Sequence, residues 1–107
     1  MFSIADAAGP PGQPVVDKVT SNSVTLAWQK PNDDGGGKIK GYVVEVKAKG
    51  GEWIEATPLP VTETLCTIPS LKEGQEYQFR VKAVNDAGLG TASVACNPVV
   101  AEKPKGL

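Results

Sequence analysis

The feature that most constrains this chain is a period-two alternation of apolar and polar residues, repeated in several short runs. Val24, Leu26 and Trp28 alternate with Thr25 and Ala27. Tyr42, Val44 and Val46 alternate with Val43, Glu45 and Lys47, and Tyr77, Phe79, Val81 and Ala83 alternate with Gln78, Arg80 and Lys82. Successive side chains of a strand point to opposite faces, so each run demands one dry face and one wet face. A helix would need an apolar stripe at a period of 3.6, and no window carries one. The chain is therefore read as all-β.

Turn signals divide these runs. Ser21-Asn22, Asp33-Asp34-Gly35-Gly36-Gly37, Lys49-Gly50-Gly51 and Asp86-Ala87-Gly88-Leu89-Gly90 are all rich in residues that favour turns. They predict seven strands, over residues 14–20, 23–30, 38–48, 52–57, 63–68, 75–85 and 91–100. Short strands with frequent turns indicate a sandwich or a barrel. The segment Leu71-Lys72-Glu73-Gly74-Gln75-Glu76-Tyr77 favours the sandwich. An apolar anchor, a glycine turn and a tyrosine at the start of a strand form the pattern of a tyrosine corner, in which the hydroxyl bonds back to upstream backbone. Such a corner pins the crossover between two sheets. The expected fold is a seven-stranded, two-sheet antiparallel sandwich.

At 107 residues the chain fits one domain and can bury a core without a disulfide or metal. Residues 1–12, with Gly9-Pro10-Pro11-Gly12, read as an N-terminal linker or appended segment. Residues 13–102 read as the domain and 103–107 as a C-terminal linker. Linkers at both ends suggest a domain taken from a longer chain.

At this point the residues resemble a known family. Trp28, Tyr42, Leu71, Gly74 and Tyr77, together with Phe79-Arg80-Val81 followed by Ala83, Asn85 and Gly88, are similar to fibronectin type III domains. The match covers roughly residues 10–104. Within the family, three segments resemble the domains of giant muscle proteins, the titin, twitchin, projectin and myosin-binding protein group. They are Gly9-Pro10-Pro11-Gly12-Gln13-Pro14, the run from Trp28 through Pro31-Asn32-Asp33-Asp34-Gly35-Gly36 to Gly41-Tyr42-Val43-Val44-Glu45, and Val84-Asn85-Asp86-Ala87-Gly88-Leu89-Gly90. The resemblance implies a cytoplasmic, sarcomeric spacer and scaffold on the thick filament. Its partners would be neighbouring domains of the same chain and myosin, and the isolated domain would be a monomer.

Trp28 is expected at the centre of the core, with Tyr42, Leu71, Tyr77, Phe79 and Val81 around it. Trp53 follows a glycine pair near a sheet edge; there it would cover the sheet face or, as the alternative, offer a contact to a partner. Cys66 and Ile68 are expected to point inward and Cys96 outward. The two cysteines would lie in different sheets, which favours free thiols and hence a reducing compartment. No Asn-x-Ser/Thr sequon occurs.

Composition narrows the function classes. There is no histidine, which removes Ser-His-Asp and Cys-His chemistry and histidine-based zinc sites. Asp33 and Asp34 offer too few oxygens for calcium and read as a turn. The glycines beside them precede no helix and no Gly-Lys-Ser/Thr, so they form no phosphate cradle. No metal or cofactor is expected. A formal net charge of −1 with a single arginine, Arg80, argues against nucleic acid. No apolar run is long enough to predict a membrane span. The expected function is therefore a structural or protein-interaction module and not an enzyme. The alternative is a ligand-recognition domain of a cell-surface receptor or adhesion protein, which would use the loops at one end of the sandwich.

Overall fold

A computed structural model describes residues 5–104. The parts of the two expected linkers at residues 1–4 and 105–107 lie outside the described residues. The alternating runs form antiparallel strands: β1 (Val15–Val19), β2 (Val24–Ala27), β3 (Gly41–Ala48), β4 (Ile54–Glu55), β5 (Leu65–Ile68), β6 (Glu76–Asn85), β7 (Gly88–Leu89) and β8 (Val99–Val100). They build two sheets. One has the order β1-β2-β5; the other has the order β4-β3-β6-β7, with β8 also paired to β6. No helix is present among the described residues.

The β3–β6 pair is the spine. Eight residues pair in unbroken register from Gly41↔Val84 to Ala48↔Tyr77. That register places Tyr42, Val44 and Val46 beside Ala83, Val81 and Phe79, all on the inner face. From the facing sheet, Val24, Leu26 and Ile68 complete the core with Trp28. Val24, Leu26, Val44, Phe79 and Val81 are fully buried. Each such side chain contributes about 1.5–3 kcal/mol relative to exposure. Trp28 meets Tyr42 edge-on, at 5.6 Å between ring centroids and 68° between planes. Its indole Nε1 is buried with no acceptor among the described residues, a cost of about 1–3 kcal/mol that the ring's large buried area offsets.

The strand expected over 91–100 is the main difference from the sequence reading. Only its end is regular, as β8 (Val99–Val100), while β7 (Gly88–Leu89) forms earlier, inside the segment expected to be a turn, so eight strands stand where seven were expected. Between β7 and β8 the chain follows β6 without a regular ladder. Ser93 N–H bonds Val81 O, and Cys96 N–H bonds Phe79 O. Three residues on this segment thus span two on β6, the count of a bulge. Side chains fill the gaps: Ser93 Oγ accepts from Val81 N–H at 2.9 Å, and Cys96 Sγ accepts from Phe79 N–H at 3.3 Å. The extra residue reverses the alternation, so Cys96 faces inward and is only 2% exposed, correcting the expectation that it points out. Cys66 pairs with the buried Leu26 and packs against the core, as expected. Both thiols are free.

The tyrosine corner is formed. Leu71 packs on the core, Ser70 (φ 62°) turns the chain, and Leu71 N–H reaches Asn22 O at 2.9 Å. Gly74 adopts φ 83°, and the Tyr77 hydroxyl accepts from Lys72 N–H at 2.8 Å. The C-terminal segment is tied to the same corner, with Gly74 N–H to Ala101 O at 2.7 Å and Ala101 N–H to Gln75 O at 3.1 Å.

Candidate functional site

Three surfaces present side chains that the core does not consume. The first is the outer face of the larger sheet. Odd-numbered residues of β3 and even-numbered residues of β6 point there, and Glu45 lies directly opposite Arg80. Arg80 Nε donates to Glu45 Oε1 at 2.6 Å, and Lys82 Nζ lies 3.2 Å from Glu45 Oε2. Glu45 is largely covered, with a side chain 12% exposed. Burial pushes its carboxyl up, but hydrogen bonds and charge from Arg80 and Lys82 outweigh this and hold it below the usual carboxylate range.

The turn Lys49-Gly50-Gly51 lays Trp53 over this face. Gly50 takes φ 81°, and Gly51 N–H bonds Ala48 O at 2.8 Å. The Arg80 guanidinium carbon sits 4.4 Å from the Trp53 ring centroid, and Lys47 Nζ sits 6.0 Å away. Arg80 is therefore held on two sides, by a carboxylate and by a π face. The half-buried Trp53 leaves part of its ring at the surface of a flat, mixed-charge face. Such a face suits shallow protein contact. A second, smaller strip lies on the outside of the other sheet. There Val15, Ala27 and Leu65 stand in register across three strands, with Val15 65% and Leu65 50% exposed.

The third surface is the pole made by the loops before β3 and after β6. Asp33 Oδ1 accepts from Gly35 N–H and Asp34 Oδ1 from Gly36 N–H, so both carboxylates close their own turn. Asn85 and Gly88 pair across the Asp86-Ala87 turn, with Gly88 at φ 104°. Residues 5–12 of the expected N-terminal linker are docked here. Asp6 N–H bonds Gly35 O, Gly9 N–H bonds Asp33 O, and Ala8 is buried in the core. Because this contact lies at the Asn85 end of β6 and Ala101 at the Gln75 end, the chain arrives at one pole and leaves at the other.

Comparison with known proteins agrees with this architecture. Residues 9–98 match the model of the fibronectin type III domain. The chain belongs to the fibronectin type III family. Among curated proteins it is similar to the titin homolog of Caenorhabditis elegans, 40% identical over 82 residues, which is 75% of this chain and a share of the relative that rounds to 0%. It is also similar to the striated-muscle M-protein of Gallus gallus, 36% identical over 99 residues, 92% of this chain and 7% of the relative. Among solved structures it resembles domains A168–A170 of titin, with a TM-score of 0.88 and 36% identity over 92% of this chain and 34% of that one. This fibronectin type III chain thus spans less than a tenth of the curated relatives it matches.

The structure places Trp28, Tyr42, Phe79 and Val81 in the core cluster and packs Leu71 and Tyr77 against it. Trp53 stands apart, on the outer face with Arg80 and Lys47. The sequence reading treated Glu45, Arg80 and Lys82 as an ordinary wet face. Their signal was there, in opposite charges on the polar positions of two alternating runs, but register decides which charges meet. Asn85 was read as the end of a strand and as part of the family resemblance, with no role for its side chain. Burial pushes the Tyr42 hydroxyl and both thiols above their ordinary pKa values.

Proposed function

We propose that this fibronectin type III domain is a structural and protein-interaction module of a large, multidomain, cytoplasmic muscle filament protein, with its place in the sarcomere. It acts as a spacer and scaffold on the thick filament and carries no catalysis. The observation that carries this reading is the likeness to titin, to M-protein and to the fast-type myosin-binding protein C of Homo sapiens, the last 38% identical over 96 residues. The opposed poles support the spacer role, because tension arriving at one end and leaving at the other runs along the strands. The outer face around Trp53 is the contact surface, and the partners are neighbouring domains and myosin.

Co-sedimentation with purified myosin filaments tests this reading. The domain is expected to pellet with filaments at physiological salt, and Trp53→Ala is expected to weaken pelleting without changing stability by more than about 1 kcal/mol. Absence of pelleting at low salt as well would remove the thick filament as a direct partner.

A further inference from the structure

The segment from Ala5 to Gly12 is held by contacts that the strand framework does not require. Asn85, only 2% exposed, donates its side-chain amide to Asp6 O at 2.7 Å and to Asp34 O at 2.9 Å. It thereby ties the segment, the loop before β3 and the end of β6 at one point. Backbone bonds from Asp6 N–H to Gly35 O, from Gly9 N–H to Asp33 O and from Thr91 N–H to Ala8 O run along the segment. Two glycines make room for it. A Cβ on Gly35 would collide with Asp6 O, and a Cβ on Gly90 would collide with Ala8 O. Such close backbone approaches are a use that only glycine permits.

We propose that residues 5–12 are a latch: a strap docked into the sandwich through Asn85, Gly35 and Gly90, which opens as a unit while the two sheets stay closed. The inference goes beyond the proposed scaffold role and does not depend on any partner. Its physical basis is the thinness of the attachment. Only Ala8 of the segment joins the core cluster, Pro11 is buried outside that cluster, and the segment's backbone hydrogen bonds, including Gly12 N–H to Gln29 O at 3.0 Å, go to residues outside the strands and not to a continuous ladder. Segments with few buried apolar contacts open at lower free energy than core strands. Closed, the strap fixes the direction in which the chain joins the domain. Open, it adds about 25–30 Å of chain at roughly 3.3–3.6 Å per residue, before any strand is lost.

Native-state hydrogen exchange on this chain tests the latch. The Asp6, Gly9 and Thr91 amides are expected to be protected, yet less than those of Val44 and Val81 in the spine. Asn85→Ala is expected to speed exchange at these three amides, two in the strap and one donating to it, roughly tenfold or more, while the spine amides keep their ranking and rates within about twofold. Gly90→Ala is the second variant, in case loss of Asn85 also disturbs the Asp86-Ala87 turn through its bond to Ala87 N–H. It pushes on the Ala8 backbone and is expected to give the same selective loss. Unprotected strap amides in the unmodified protein would overturn the proposal. So would equal acceleration of strap and spine in both variants, because the strap would then open only with the whole domain.

Discussion

Replacing Tyr77 by Phe removes one oxygen and leaves the ring in place, so it isolates the corner hydrogen bond. The ring packs on the core and lies 6.3 Å from Phe79 between centroids, contacts that phenylalanine keeps. What is lost is the bond from Lys72 N–H to the hydroxyl, 2.8 Å long and near the surface. Its position sets the magnitude. A buried donor left unpaired would cost about 1–3 kcal/mol, but water can reach this N–H, so the loss reduces to the net worth of one hydrogen bond, about 0.5–1.5 kcal/mol. The corner also holds Gly74 against Ala101 through a 2.7 Å bond, which places the expected cost in the upper half of that range, about 1 kcal/mol. For a domain of this size that corresponds to a melting point lower by about 4–8 °C. Urea unfolding should show a lower midpoint at unchanged slope, because the exposed surface does not change. Stability within about 0.3 kcal/mol of the parent would refute the reasoning. A loss above about 3 kcal/mol would mean that ring packing had changed as well.

Glu45→Gln should cost about 1 kcal/mol at pH 7, reduced from the value of a buried ion pair because Arg80 and Lys82 are partly exposed. Since folding lowers the Glu45 pKa, its contribution is complete above the unfolded carboxylate value of about 4.3 and is lost as pH falls through the folded value. The gap between parent and variant in urea melts should therefore narrow steadily as pH falls below about 4.3, and a gap of constant size would disprove the linkage. The two thiols should react slowly with a disulfide exchange reagent in the native domain and promptly in denaturant, since burial keeps Cys66 and Cys96 protonated; prompt native labelling of Cys96 would contradict its inward position.

Much of the fold was legible because period two is a local property. The alternation at Tyr42-Val44-Val46 and at Phe79-Val81-Ala83 named the inner face of β3 and β6 without knowledge of their pairing. The corner was legible for the same reason, since Leu71, Gly74 and Tyr77 act within seven residues. Cys96 was misread because a bulge opposite β6 reversed the alternation, and nothing in Thr91–Val100 marks where an extra residue enters. The docking of residues 5–12 was not legible because their proline and glycine content is that of a linker, and composition does not reveal that Gly35 and Gly90 leave room for them.

The sequence alone determined the all-β class, the inner faces, the turns and the absence of histidine chemistry, because each depends on residue type and on neighbours a few positions away. Tertiary structure alone decided that Arg80 stands between Glu45 and Trp53, that Ser93 and Cys96 bond to β6 through their side chains, and that Asn85 reaches Asp6. Those contacts join residues far apart in the chain. Their partners are set by strand register, and register is fixed only when both sheets bury their apolar faces together.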